Sequence, residues 1–169
     1  VKDIGNDGKI VYIEGLAGYS ACEERKSGME KAIEGTNIQV LETQLSDANR
    51  EKAQQVMENY LIKYPVGSID AVFCYDDSIA IGAINAMEAA NRDDIKVYAA
   101  ACGDCNTLSY IRDGKLRATA MQSPIIDAKT ALDYAVNIAK GGTVSDYDNY
   151  MDTPVATADN VDSLDIEEW

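Results

Sequence analysis

Short strand-like runs alternate with helical stretches through most of the sequence, and this alternation limits the fold more than any other feature. The runs are rich in β-branched and aromatic residues, and turn or cap signals separate them from the helical stretches. Strands linked by helices in this way form a parallel sheet with helices on both faces. We therefore predict a doubly wound α/β fold, with strands at 9–14, 38–41, 71–74, 95–100 and 116–120 and helices near 21–34, 49–64, 78–90, 106–112 and 124–139.

Local end signals support these helices. The string from Ser20 to Glu23 has the spacing of a capping box, and Asp77 is expected to cap the third helix. Pro124 suits the first turn of the fifth helix. A left-handed C-cap needs no Cβ, and glycines fall just past three helical stretches. These are Gly35, Gly114 and Gly141.

The composition excludes several classes of function. The net charge is -14, from 15 Lys plus Arg against 29 Asp plus Glu, so the field around the chain repels nucleic acid and anionic lipid headgroups. The chain contains no His, which removes the usual general base, the Ser–His and Cys–His nucleophile pairs, and His metal ligands. We therefore expect a protein that is not an enzyme and does not bind nucleic acid.

The ends and the apolar runs of the sequence bear on its location. No apolar run approaches the roughly 18 residues needed to span a bilayer, and the first residues lack the apolar core of a signal peptide. We expect the chain as given to be soluble. Because it has no initiator Met and opens almost directly on a strand, we also expect it to be a fragment of a longer protein.

Ligands of open α/β sheets bind outside the carboxyl ends of the strands, near the point where the strand order reverses. Asp76 follows the third strand and Gln122 follows the fifth, so both are candidates for hydrogen bonds to a small polar molecule. Tyr75 offers an apolar surface at the same strand end. Glu23 follows the first strand, although the capping box gives it a structural alternative. Arg25 is expected to pair with a neighbouring acid.

Four cysteines raise a separate hypothesis. Cys102 and Cys105 have the CxxC spacing of redox and metal sites, while Cys22 and Cys74 stand alone. A zinc or iron–sulfur site with four thiolate ligands would form if all four lay together along one edge of the sheet. Free cysteines are also common as small buried apolar residues. We expect structural cysteines, with no metal and no cofactor.

Two other doubly wound families fit the sequence less well. A phosphoacceptor receiver domain needs an acidic pair after the first strand and a Lys after the fifth, where this chain has Gly15, Leu16 and Gln122. A flavodoxin needs a phosphate-binding loop rich in Ser, Thr and Gly after its first strand, which 15–20 only approximates.

Several strings, in order along nearly the whole chain, are similar to one known family. They lie at 8–20, 25–29, 71–83, 113–124 and 152–160. In these strings the chain resembles the periplasmic sugar-binding proteins of ABC transporters, of the ribose- and galactose-binding type, whose fold is shared with LacI-family effector domains. The resemblance implies the flavodoxin-like, three-layer αβα lobe of a type I periplasmic binding protein, and it covers only the second lobe of a two-lobed protein.

The resemblance also implies which positions line the ligand pocket. They fall on Glu23, Ala48, Asp76, Ala101 and Gln122. Gln122 matches the ribose-type pattern, which has Arg, an aromatic residue, Asn and Asp at the other four positions in that order. Ribose is therefore not expected as the ligand. Acids in place of Arg and Asn favour an amine, a cation or a different polyol over an anion.

The resemblance further implies how the chain is divided. Residues 1–123 would form the second, C-terminal lobe, and 124–142 would form a crossover helix that packs on the missing first lobe. Residues 143–169 would form a return strand and an acidic tail, with the strand expected at 152–156.

The function implied is capture of a small polar ligand, a sugar or sugar-like compound, by hinge closure of two lobes. The ligand would pass to a membrane permease or a chemoreceptor, from the periplasm or from a lipoprotein on the cell surface. Two alternatives stay open: the effector domain of a LacI-type transcription regulator, which would need an upstream helix-turn-helix, and a cysteine-based metal or redox protein. A homodimer of the fragment also stays open.

Overall fold

A six-stranded sheet forms the centre of the molecule, with the strand order β2-β1-β3-β4-β5-β6. The computed structural model describes residues 1–144 and 150–164. Strands β1 to β5 are parallel, and β6 is antiparallel to β5. The strands are β1 (Lys9–Glu14), β2 (Gln39–Leu45), β3 (Ala71–Cys74), β4 (Lys96–Ala99), β5 (Ala118–Ala120) and β6 (Val155–Thr157). The helices are α1 (Ser20–Ile33), α2 (Arg50–Lys63), α3 (Asp77–Ala89), α4 (Cys105–Arg112) and α5 (Pro124–Ala139).

The predicted doubly wound α/β fold is confirmed. Each predicted strand and helix is present, and the largest difference is β2, which runs to Leu45 and not to residue 41. Because side chains of successive strand residues point to opposite faces, alternate residues of β1 serve two separate cores. Val11 and Ile13 belong to one apolar cluster, and Ile10 and Tyr12 belong to the other.

Helices α2, α3 and α4 cover the first face of the sheet. The α2–α3 pair packs closely at Gly82, where a Cβ would lie 2.4 Å from the carbonyl oxygen of Arg50. Only a residue without a side chain allows this approach, because a contact that short requires a shift of backbone. The α2–α3 contact fixes the position of α3, whose first residues lie at the carboxyl end of β3.

Helix α1 packs on the second face and covers only part of it. Met29 of α1 contacts the cluster around Ile10 and Tyr12. Phe73 of β3 and Tyr98 of β4 are half-buried on this face, beside an apolar opening of about 240 Å³. Within the described residues, the sheet is therefore better covered on its first face than on its second.

Helix α5 leaves the sheet instead of packing on it. None of its residues is buried, and Leu132 on this helix is 63% exposed. The chain then returns as β6, whose Ala156 pairs with Thr119 of β5, so the predicted return strand joins this sheet. The acidic tail from 165 to 169 lies outside the described residues. None of the described helices combines the length and the apolar character that a bilayer span requires.

The helix ends confirm some of the predicted signals and contradict two, the α1 capping box and the α3 cap at Asp77. Ser123 caps α5, its hydroxyl oxygen accepting the N–H of Ile126 at 3.3 Å, with Pro124 in the first turn. The capping box predicted for α1 is wrong, because the cap residue is Tyr19 and no side chain completes a cap hydrogen bond there. The predicted C-cap glycines all have positive φ, at Gly35, Gly114 and Gly141.

Candidate functional site

The carboxyl ends of the parallel strands β1 to β5 meet at one edge of the sheet, which we term the carboxyl edge. The strand order reverses between β1 and β3, and this switch point is where open α/β sheets bind ligands. Tyr75 and Asp76 follow β3 at this edge, and Gln122 follows β5 after one residue. The edge therefore collects residues that are far apart in the sequence.

Arg25 of α1 joins the two strand ends. Its Nη1 donates to the carbonyl oxygen of Tyr75 at 3.0 Å, and its Nη2 donates to Oε1 of Gln122 at 3.1 Å. Its guanidinium carbon also lies 4.3 Å from the centre of the Tyr75 ring, within the range of a cation–π contact. Arg25 thus positions one backbone group, one aromatic ring and one amide at the carboxyl edge.

The expectation that Arg25 pairs with an acid is wrong, since these partners are a carbonyl and an amide. The sequence does hold a signal for the correct position. Arg25 lies three residues after Cys22 and four before Met29, and both of those residues are buried. This spacing places Arg25 on the inner face of α1.

Tyr75 is packed tightly against the loop after β1. Its side chain is 7% exposed, and burial is the main cause of its raised pKa. A Cβ at Gly15 would lie 2.7 Å from Cδ1 of Tyr75 and 2.8 Å from Sγ of Cys22, so Gly15 is required for this close approach. Tyr75 therefore packs beneath the carboxyl edge and exposes little of its side chain to a ligand.

Asp76 caps α3. Its Oδ1 accepts the N–H of Ile79 at 2.9 Å, and its side chain is half-buried. Burial is the main influence on its pKa and raises it, while the Ile79 amide and the Arg25 guanidinium act in the opposite direction. The carboxylate at the predicted ligand position is thus also part of the helix cap.

Asp77 was expected to be that cap, and the structure corrects this. Asp77 is 5% exposed. Its carboxylate accepts the hydroxyl of Thr119 at 2.6 Å and the N–H of Gly103. Burial is the main cause of its raised pKa, opposed by these two hydrogen bonds. The carboxylate points into the protein, between β5 and the loop after β4.

Gln122 and Cys102 stand side by side. The N–H of Gln122 donates to the carbonyl oxygen of Cys102 at 2.7 Å, and both residues line an opening of about 240 Å³ with the start of α5. We term this the Cys102–Gln122 opening. Gln122 is exposed and Cys102 is half-buried. Ala101, the residue predicted at this strand end, is 3% exposed, so the side chain that reaches the opening is that of Cys102.

Two predicted site residues lie on exposed parts of the same edge. Glu23 is exposed in the first turn of α1. Ala48 is exposed in the loop from β2 to α2 and has a φ of 53°, in the left-handed region. Ser46 ties that loop to β1 by donating its hydroxyl to the carbonyl oxygen of Glu14 at 2.6 Å. The role of these two residues stays a prediction.

The four cysteines are all free thiols. Cys22 and Cys74 are buried, Cys102 is half-buried and Cys105 is exposed. Sγ of Cys22 accepts the N–H of Leu16 at 3.2 Å. Across residues 1–144 and 150–164, no group of three or more His, Cys, Asp or Glu side chains is arranged to hold a metal ion.

The fold and the site define a class of protein. Polar side chains converge at the switch point of this doubly wound sheet, which is where open α/β sheets bind small ligands. The fold is that of the type I periplasmic binding proteins. Residues 1–143 match the periplasmic binding protein domain family, and the chain belongs to this family.

Individual relatives agree with this assignment. The chain is 33% identical over 143 residues to the ribose import binding protein RbsB of Salmonella typhimurium, covering 85% of this chain and 47% of that protein. It is 36% identical over 141 residues to RbsB of Bacillus subtilis, covering 83% of this chain and 45% of that protein. The chain thus spans about half the length of the curated relatives it matches.

A solved structure extends the comparison to three dimensions. The periplasmic solute-binding protein of an ABC transporter from Actinobacillus succinogenes, with bound D-allose, superposes with a TM-score of 0.89 at 26% identity. The match covers 96% of this chain and 57% of that one. The predicted family resemblance and fold class are both confirmed.

Proposed function

We propose that this chain supplies the second lobe of a two-lobed solute-binding protein that captures a small polar ligand, a sugar or sugar-like compound. The observation that carries the proposal is the array at the carboxyl edge, where Arg25 joins the end of β3 to Gln122 after β5. Such an array offers fixed hydrogen-bonding groups at the place where this fold binds ligands.

The side chains at the edge suit a polyhydroxy compound. One oxygen of Asp76 accepts the Ile79 N–H, which leaves the other oxygen able to accept a ligand hydroxyl. The amide oxygen of Gln122 accepts a hydrogen bond from Arg25, and its NH₂ group can donate one to a ligand. Glu23 and Ala48 would line the outer edge, and the loop at Ala101 would contribute through Cys102.

The other half of the pocket would come from a first lobe. Two facts support this division: the chain spans about half of its curated relatives, and α5 contains no buried residue. A helix that carries apolar side chains and has no buried residue suits a crossover element. We therefore keep residues 1–123 as the lobe, 124–142 as the crossover helix and 143–169 as the return strand and tail.

The mechanism is hinge closure. A ligand that contacts both lobes binds the closed form better than the open form and so shifts the population toward closure. The closed form would then be recognised by a membrane permease or a chemoreceptor outside the cytoplasm, in the periplasm or as a lipoprotein at the cell surface. The family and the relatives favour this function over a LacI-type regulator and over a cysteine-based metal or redox protein.

Titration calorimetry on the two-lobed protein tests the proposal, with ribose, allose, xylitol and myo-inositol as the panel. Asp76→Ser keeps the helix cap, because Ser caps as well as Asp, and removes the second oxygen that a ligand would use. Gln122→Met removes the amide at similar volume. Each change should weaken binding by about 1–3 kcal/mol, roughly five- to hundredfold, if the ligand hydrogen bond is lost in a desolvated site.

Matched controls separate the site from general effects. Asp70→Ser makes the same change at the amino end of β3, where Asp70 accepts the N–H of Lys9, and Gln54→Met makes the same change at a half-buried position of α2. Both should leave affinity within about twofold of wild type. The site assignment fails if Asp76→Ser and Gln122→Met behave like their controls, and the function fails if no compound of the panel binds.

A further inference from the structure

Asp77 connects three elements that meet beneath the carboxyl edge. It is the first residue of α3, and its carboxylate accepts one hydrogen bond from Thr119 in β5 and one from Gly103 in the loop after β4. Both donors and the carboxylate itself are buried. A buried carboxylate with two donors is costly to disturb, because loss of the acceptor leaves both donors unpaired.

The loop held by Asp77 carries the groups of the Cys102–Gln122 opening. Cys102 forms a parallel bridge with Met121, and its carbonyl oxygen accepts the N–H of Gln122 at 2.7 Å. The contact between loop and strand is close at Gly103, where φ is +87° and a Cβ would lie 2.3 Å from Sδ of Met121. The position of Gln122 therefore depends on the position of the loop.

We propose that Asp77 is a positioning residue, which holds the end of β4 against the end of β5 and so sets where Cys102 and Gln122 stand in the opening. Asp77 is buried and bonded to protein groups on both sides, so it acts through these two residues and does not contact ligand. The effect on binding rests on the proposed function, whereas the effect on the loop does not.

The rate at which iodoacetamide alkylates Cys102 reports the position of the loop in the chain itself. Asp77→Ala removes both hydrogen bonds and should expose the half-buried thiol, while Cys105, already exposed, serves as an internal reference. The Asp77 charge also disfavours the Cys102 thiolate, so charge removal alone would speed the reaction. Asp77→Asn controls for this, since it removes the charge and can still bond Gly103 through its oxygen and Thr119 through its NH₂.

The expected result is that Cys102 reacts at least about tenfold faster in Asp77→Ala than in Asp77→Asn, with Cys105 unchanged. Equal rates in the Ala and Asn variants would overturn the proposal, because the charge would then explain the whole effect. Thr119→Val keeps the charge and removes one of the two hydrogen bonds. Cys102 should then react faster than in wild type and more slowly than in Asp77→Ala. If Asp77→Ala does not fold, the comparison of Thr119→Val with wild type decides the test.

Binding by the two-lobed protein provides the second readout, using the compound of the sugar panel that wild type binds best. Asp77→Ala should weaken affinity at least about tenfold, and Asp77→Asn should restore it to within about threefold. Tyr60→Phe is the control. It removes a buried hydrogen bond from Tyr60 to the carbonyl oxygen of Tyr12, and both residues are far in the sequence from Cys102 and Gln122. Affinity should therefore stay unchanged. Affinity retained in Asp77→Ala would refute the positioning role. If wild type binds no sugar, the proposed function fails and the alkylation rates still decide the role of Asp77.

Discussion

Replacing Arg25 should damage both the stability of the lobe and its ligand site. Arg25→Ala removes a hydrogen bond to the carbonyl oxygen of Tyr75, a second one to Oε1 of Gln122, and the contact with the Tyr75 ring. The Tyr75 carbonyl is then left without its charged donor in a part-buried position. The Gln122 amide loses the contact that fixes its orientation.

The magnitude follows from how buried each contact is. The part-buried bond to the Tyr75 carbonyl has a charged donor and contributes about 1–2 kcal/mol. The exposed bond to Gln122 contributes about 0.5–1 kcal/mol, and the ring contact a similar amount. We expect a total loss of about 2–4 kcal/mol in the free energy of unfolding, which lowers Tm by about 4–16 °C for a chain of this size.

Urea unfolding and thermal melts of wild type, Arg25→Ala and Arg25→Lys measure this loss. Lys supplies one compact charge and cannot bond both acceptors at once, so it should recover less than half of the stability. In a Gln122→Met background, Arg25→Ala should cost about 0.5–1 kcal/mol less, because one of its partners is already gone. A Tm change below about 1 °C for Arg25→Ala, or full recovery by Lys, would show that these contacts do not hold the edge together.

Three further changes test other parts of the structure. Gly82→Ala should lower the free energy of unfolding by about 1–3 kcal/mol, because the new Cβ meets the backbone oxygen of Arg50 at the α2–α3 contact; a neutral result in urea unfolding would mean that this contact is looser than described. Arg92 holds the pKa of Asp94 down to about 2, so the stability from this pair is present above about pH 4 and is lost as pH falls toward 2. Asp94→Asn should therefore cost about 1–2 kcal/mol at pH 7 and almost nothing at pH 2, and an equal loss at both pH values would exclude the ion pair as the cause. Leu132→Asp on exposed α5 should change the free energy of unfolding of this chain by less than about 0.5 kcal/mol. The same change should lower the Tm of the two-lobed protein, and an unchanged Tm there would contradict the crossover assignment.

The sequence predicts the layer arrangement well because the alternation of strands and helices is a local property. Apolar runs mark the strands, and a parallel sheet with helices on both faces is the arrangement that buries them. The end of β2 is harder to predict from the sequence, since Glu42 and Gln44 are polar residues in a strand at the edge of the sheet. Their strand conformation comes from pairing with β1, which no local pattern records.

The candidate site shows where local patterns stop being sufficient. Asp76 and Asp77 are adjacent carboxylates before an apolar helix, and either could cap it by sequence rules alone. In the structure, Asp76 is the residue that caps α3 and lies at the carboxyl edge, because β3 ends at Cys74 and α3 begins at Asp77. Asp77 then lies one residue further into the turn and points toward Thr119, which is 42 residues away in the sequence. The division of roles between two identical neighbouring side chains thus depends on a strand that folds against them from elsewhere, and only the tertiary structure reveals it.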